Sequence, residues 1–262
     1  MAAKALASRA SYRCYRVIRW LVQFFYPKIT VVGQENLPDA PVIAVGNHSQ
    51  IHGPITAELY YPGKRRIWCA GQMMHMKEVP AYAYQDFWSG KPKWSRWFFR
   101  ILSYLIAPIA ACVFNNAFTI PVYRDTRLLN TFRQSVSALE DGSSLIIFPE
   151  CAAKHNSIVN QFQDKFIDVA KLYYKRTGKA VSFVPMYLAP ALKTLYLGTP
   201  IPFRPDVPIA QERERICGEL MEQITKIGTS LPRHRVVPYN NVSKKEYPYN
   251  ISSEVSHEET GG

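Results

Sequence analysis

The apolar run PVIAVG at residues 41–46 leads straight into Asn47 and His48, with His52 four residues after His48 and Gly53-Pro54 behind it. An imidazole at the end of an apolar strand can accept a proton near neutral pH, which is general-base chemistry, or it can merely close the strand. Two more apolar runs end on groups that chemistry uses: AFTIPVY, residues 117–123, leads into Arg124-Asp125, and SLIIF, residues 144–148, leads into Pro149-Glu150. A base, a cation and an acid thus stand at three strand ends. His48 and His52 have helical spacing and could share a helix face, but no third ligand lies nearby and the metal signal is poor. Cys151 has no dedicated base beside it and reads as a small residue filling a turn.

The elements that must position these groups follow from the pattern. Short β-type runs (PKITVVG, PVIAVGN, RIWCAG, AFTIPVY, SLIIFPE, VSFVPMYL and TLYLGTP) alternate with helical patterns near 127–141, 160–175 and 208–229. This predicts an α/β fold, a mixed, largely parallel sheet flanked by helices, in which reactive groups gather at the C-terminal ends of strands. Ahead of it, Cys14, Val17, Ile18, Leu21, Val22 and Phe25 share one side of an N-terminal amphipathic helix and Arg9, Arg13, Arg16 and Arg19 the other, up to Pro27. With Trp20 and Phe24 nearby, such a helix suits a bilayer interface; packed on its own core it would be an ordinary helix with solvated arginines. Residues 94–114 end in 14 uncharged residues interrupted by Pro108. A straight crossing takes roughly 20, so docking fits better than crossing, and a buried core helix is the other reading. Lys91, Lys93, Arg96 and Arg100 among Trp88, Trp94 and Trp97 suit a headgroup layer. The expected organisation is a docking helix over 1–27, one α/β domain over 28–231 and a loosely held tail over 232–262.

Composition narrows the partners. Lys and Arg exceed Asp and Glu by 12, which favours nucleic acid, an anionic membrane or a phosphorylated ligand. Aromatic residues make up 13%, a heavy load that points to an apolar contact. They cluster in apolar stretches rather than interleaving with basic residues, and no nucleic-acid motif accompanies the charge, so no nucleic acid is expected. Five scattered cysteines without CxxC spacing suit a reducing compartment. The N-terminal apolar stretch is broken by Gln23, Pro27 and Lys28, and no signal peptide is expected.

Taken in order, Asn47-His48, Phe118 to Arg124, Phe148-Pro149-Glu150 and Val184-Pro185 resemble the four motif blocks of the glycerolipid acyltransferase family, of the 1-acylglycerol-3-phosphate acyltransferase type. The lead-in Val32-Gly33-Gln34-Glu35-Asn36-Leu37-Pro38 is similar as well, and the likeness covers roughly residues 28 to 200. It implies transfer of an acyl group from acyl-CoA or acyl-acyl carrier protein, as co-substrate and without a cofactor or metal, to a hydroxyl of glycerol phosphate or a lysophospholipid. His48 would be the general base and Glu150 a catalytic-site residue that binds a glycerol hydroxyl or braces the loop. Arg124 would hold phosphate through its planar fork, or pair with Asp125 or Glu150. Asn47, His52, Phe148 and Pro149 complete the expected substrate-binding set. Partners would be an anionic membrane surface, on its cytoplasmic face, and these substrates; Lys64-Arg65-Arg66 is by default a solvated face, or else contacts anionic lipid or the phosphates of coenzyme A.

The chain departs from the pattern where the family has Asp five residues after its histidine: here it is Gly53. Cys151 replaces a glycine, Ala152-Ala153-Lys154 replace Thr-Arg-Ser, and Phe162-Gln163-Asp164-Lys165 replace Phe-Lys-x-Gly. The lost carboxylate would have oriented the imidazole. Glu58 or Glu150 could take its place, His52 or water could do so weakly, or catalysis is lost and a lipid- or carrier-binding relative remains. If the missing carboxylate is the limiting defect, Gly53→Asp should raise activity.

Overall fold

The computed structural model describes residues 2–88, 90–123 and 125–251, with side chains from Ser8 onward. By internal contacts the chain forms two compact units, one of residues 1–28 with 66–135 and the other of residues 29–65 with 136–262. These boundaries differ from the expected segments: the N-terminal helix falls within the first unit, and the stretch 66–135 separates from the rest of the expected α/β domain.

The second unit carries β1 (Thr30–Val32), β2 (Ile43–Gly46), β5 (Ser144–Ile147), β8 (Ser182–Ala189), β9 (Thr194–Leu197) and β10 (Ile201–Pro202). They run in the order β1-β9-β8-β2-β5, with β10 on β8. β2 lies parallel to both β8 and β5, and β1 is parallel to β9, while β8 is antiparallel to β9 and β10. Ile43, Ala44, Val45 and Gly46 are all buried, the signature of a central strand covered on both faces, which is why this stretch reads as an unbroken apolar run. α2 (His52–Tyr60), α6 (Asp168–Thr177) and α7 (Ile209–Ser230) flank the sheet, and α7 packs on β8 through a buried stripe of Ile216, Leu220 and Ile224. With β3 (Arg65–Ala70) parallel to β4 (Thr119–Val122), the fold is α/β with a mixed, largely parallel sheet, as the alternation predicts.

Two local expectations change here. The helix expected over 160–175 starts at Asp168, and Asn160–Phe162 instead forms β7, paired antiparallel with β6 (Glu150–Lys154). Asn160 is drawn into that hairpin because its N–H donates to Glu150 and its side-chain amide to the Cys151 carbonyl. Residues 232–251, expected as a loose tail, are seated on the unit. Buried Asn250 donates to the carbonyls of Gly228 and Leu231 and accepts from the His234 N–H, and buried His234 bonds the Tyr187 hydroxyl at 2.8 Å. Polar composition alone does not signal such side-chain anchors.

The first unit is helical around β3 and β4. α1 (Ala2–Phe25) packs on α4 (Arg96–Asn116), Asn116 donating to the Ser11 hydroxyl at 2.9 Å. The covered stripe of α1 is Ser11, Tyr15, Ile18 and Val22, so of the expected apolar side Cys14, Val17, Leu21 and Phe25 stay exposed. α4 runs unbroken through Pro108, against the expected interruption. The carbonyl that Pro108 leaves without an N–H belongs to Tyr104, which is itself exposed. At 21 residues α4 spans about 31 Å. The stretch Lys93–Asn116 is long and apolar enough to cross a membrane, with mean hydropathy 1.8 and only 17% of it buried. The reading of 94–114 as a buried core helix is therefore corrected. Small Ser103, Ala107 and Ala111 turn inward on α4, Ala107 joining Met73, Val79 and Ala83 of α3 (Val79–Ala83) and its approach. Trp97, Phe98, Ile101, Tyr104, Leu105 and Ile109 stay exposed. α5 (Leu128–Glu140) completes the helices.

Candidate functional site

β2 ends where the sequence turns polar, and the turn after it is held from below. Buried Asn47 accepts from the Leu188 N–H at 2.8 Å and donates to the Leu188 carbonyl at 3.0 Å and the Ser49 hydroxyl at 2.7 Å. Asn47, expected as a substrate-binding residue, thus ties β2 to β8 beneath the site. Ser49 and Gln50 follow with φ of 47° and 54°, two consecutive left-handed residues without glycine. Non-glycine residues enter that region only when their surroundings hold them, and such strain gathers at functional turns. The turn closes with the His52 N–H on the Ser49 carbonyl and the Gly53 N–H on the His48 carbonyl, both 3.0 Å.

α2 begins at His52, so His48 precedes the helix and the two histidines share no helix face. Among the described residues no group of three or more His, Cys, Asp or Glu is placed to hold a metal ion. The His48 ring meets the edges of Phe148 and Tyr239, with centroids 5.5 and 5.9 Å away. Burial pushes its pKa down to about 4, against a hydrogen bond to the Gln50 backbone that acts upward. At neutral pH the ring is neutral, and one of its nitrogens carries a lone pair. His52 is also lowered, by burial and by the charge of Lys244.

Glu150 sits at the start of β6, 4% exposed. One carboxyl oxygen accepts from the His48 amide N–H at 2.5 Å and the other from the Asn160 N–H at 2.7 Å. Burial raises its pKa to about 7 despite both hydrogen bonds. Its carboxyl therefore grips the backbone of His48 and not the imidazole. Glu58 pairs with Arg65 at 3.8 Å.

Gly53 occupies the place of the absent carboxylate for a steric reason. A Cβ there would lie 2.3 Å from the His48 carbonyl oxygen and 3.0 Å from the Phe148 ring. Gly53, Ala57, Phe148, Met186, Leu188 and Leu195 also line a narrow apolar recess beside the turn. Pro149 accepts from the Gln163 N–H at 2.9 Å, and the carbonyl of half-buried Cys151 accepts from the Asn160 side-chain amide at 2.8 Å. His48, Glu150, Asn47, Phe148, Pro149 and His52 are thus brought together in one unit; Arg124 lies outside the described residues. The turn residue Gln50 and the distant Tyr239, Asn240 and Tyr247 were missing from the expected set. Asn240 accepts from the Gln50 amide at 3.2 Å, and the Tyr247 hydroxyl donates to the Gln50 oxygen at 3.2 Å.

Neither a protein-family model nor a curated protein matches the chain. Among solved structures it is similar to the crystal structure of the 1-acyl-sn-glycerophosphate (LPA) acyltransferase PlsC from Thermotoga maritima, with a TM-score of 0.46 and 15% identity over 84% of this chain and 78% of that one.

Proposed function

We propose that this chain is an acyltransferase that moves a fatty acyl group from acyl-CoA or acyl-acyl carrier protein to a hydroxyl of a lysophospholipid or glycerol phosphate, at the cytoplasmic face of a membrane. The observation that carries the reading is His48, an imidazole on a left-handed turn after a central strand, its backbone gripped by Glu150 and its ring kept neutral by burial, so that a ring nitrogen can take a proton. A substrate hydroxyl placed at that nitrogen loses its proton as its oxygen attacks the thioester carbonyl carbon. The tetrahedral intermediate collapses, the carbon–sulfur bond breaks, and the leaving thiolate takes the proton from the imidazolium. No covalent enzyme intermediate and no cofactor is needed. Glu150 keeps the His48 backbone in place. Arg124 is assigned to the acceptor phosphate on the strength of its motif position and guanidinium chemistry. The exposed aromatic rows of α1 and α4, flanked by Lys91, Lys93, Arg96 and Arg100, support docking on anionic lipid.

A second reading has its own observation. Gly53 carries no carboxylate, and a side chain there would meet the His48 carbonyl, which favours a silent relative that binds lysophospholipid or acyl carrier protein without turnover. Incubating the purified protein with mixed acyl thioesters and lysolipids, followed by mass spectrometry of the lipids, decides between them. Acyl transfer that vanishes in His48→Ala supports the enzyme; intact lipid binding without product supports the silent relative.

A further inference from the structure

Among the described residues no carboxylate is bonded to the His48 ring, yet parts of the chain far from it in sequence pack against that ring. Tyr239 sets its ring edge against the imidazole at 85°, while Asn240 and Tyr247 hold the two ends of the Gln50 side-chain amide, 190 and 197 positions away. Gln50 is one of the two left-handed residues of the turn, a conformation that does not persist unless something holds it. The segment that does so is itself pinned at both ends, by His234 and by Asn250.

We propose that residues 234–250 form a clasp over the β2–α2 turn, with Gln50 as the positioning residue that orients His48 and Tyr247 as the group that fixes Gln50. In this arrangement contacts from the C-terminal end of the chain, the Tyr239 ring on the imidazole and the Asn240 and Tyr247 bonds on Gln50, take over the work of the missing carboxylate. The inference deepens the acyl-transfer reading and rests on it only for the kinetic arm of its test.

The test reads the imidazole directly. In long-range proton–nitrogen spectra of protein labelled with nitrogen-15 histidine at pH 7, the His48 signals, assigned by their loss in His48→Gln, should show one neutral tautomer. Tyr247→Phe removes a single hydroxyl and should move His48 toward the averaged pattern of two tautomers, with Gln50→Ala moving it further. Tyr249→Phe is the control in the same segment: that ring lies under Arg233, at 3.8 Å, and its loss of a hydroxyl should leave His48 unchanged. A wild-type tautomer pattern in Tyr247→Phe, with the amide spectrum still folded, overturns the clasp, and this variant alone decides if Gln50→Ala does not fold. Once acyl transfer is measured, Tyr247→Phe should lower kcat about 2- to 10-fold, the equivalent of one neutral hydrogen bond, with KM unchanged. An unchanged kcat overturns the positioning role even if the tautomer shifts. A chain with no turnover at all removes the acyl-transfer reading and leaves the spectra to judge the clasp.

Discussion

Around His48, polar groups are buried and met: Asn47, Ser49 and Glu150 are almost wholly enclosed, and each has its hydrogen bonds. Along α1 and α4 the opposite holds, with Phe24, Phe25 and Trp97 being 70%, 78% and 65% exposed while small Ser103, Ala107 and Ala111 turn inward on α4. Each region inverts the usual partition of side chains, and each inversion needs a compensation. In the turn it is a closed set of hydrogen bonds. On the helices it would be, under the proposed docking, a lipid surface as apolar as the outward side chains themselves. The contrast implies that substitutions at the turn act on stability, whereas substitutions on the helix face act on binding.

The largest effect is expected from Gly53→Asp. The idea that this change restores activity fails on the geometry, since the Cβ alone would meet the His48 carbonyl at 2.3 Å. Overpacking and a buried carboxylate should together destabilise the protein by about 3 kcal/mol or more, read from urea unfolding, with activity lowered. Unchanged stability with higher turnover would show that the turn opens readily and would break the contrast from its buried side.

Glu150→Gln comes next. An amide offers one acceptor and one donor where two backbone N–H groups need two acceptors, so a loss of about 1–3 kcal/mol is expected. The pH dependence sharpens it. The Glu150 pKa is raised from 4.5 to about 7 in the folded protein, so the folded state binds the proton more tightly than the unfolded one. Its contribution to stability is complete below the unfolded value and is lost as pH rises through the folded value. Urea unfolding should therefore show the gap between wild type and Glu150→Gln widening from pH 8 to pH 5. A gap that does not change would mean that Glu150 titrates as an ordinary carboxyl.

On the helix face the double substitution Phe98→Ser with Ile101→Ser should move unfolding free energy by no more than about 0.5 kcal/mol, because both side chains are already about half exposed. Co-sedimentation with anionic phosphatidylglycerol vesicles should nevertheless weaken at least tenfold, since each side chain removed from water contributes about 1.5–3 kcal/mol. Retained vesicle binding, or a large loss of stability, would sink the membrane reading of that face.

The parts that were legible beforehand share a physical cause. Runs such as PVIAVG and VSFVPMYL declare central strands because burial on both faces demands unbroken apolarity, and Asn47-His48 and Pro149-Glu150 declare strand ends because polarity must resume there. Whether α4 was core or surface could not be read from hydropathy, which is the same in either case; only the inward alanines and outward aromatics of the folded helix separate them. The clasp was hidden for a different reason. Tyr239, Asn240 and Tyr247 lie in a stretch rich in Pro, Asn and Lys that has no periodicity, and their value comes from contacts with Gln50 and His48 nearly 200 residues away. Gly53 looked like a deletion of function, yet the close approach of the His48 carbonyl makes it a requirement of the turn.

The smallest expected effect is an absence of change across a pH range where histidine enzymes ordinarily lose activity. A general base with the usual pKa of 6.5 would be about 97% protonated at pH 5 and would cut kcat/KM about thirtyfold. Burial holds His48 at about 4, so its base form persists and kcat/KM should stay nearly level between pH 8 and pH 5, then fall about tenfold per unit below pH 4. The same burial makes the imidazole a weak base, because it disfavours the imidazolium formed during attack, so turnover should be modest at every pH. An acid limb centred near 6.5 would mean that the ring stands in water when substrate binds, and that the enclosure by Phe148 and Tyr239 opens during the catalytic cycle.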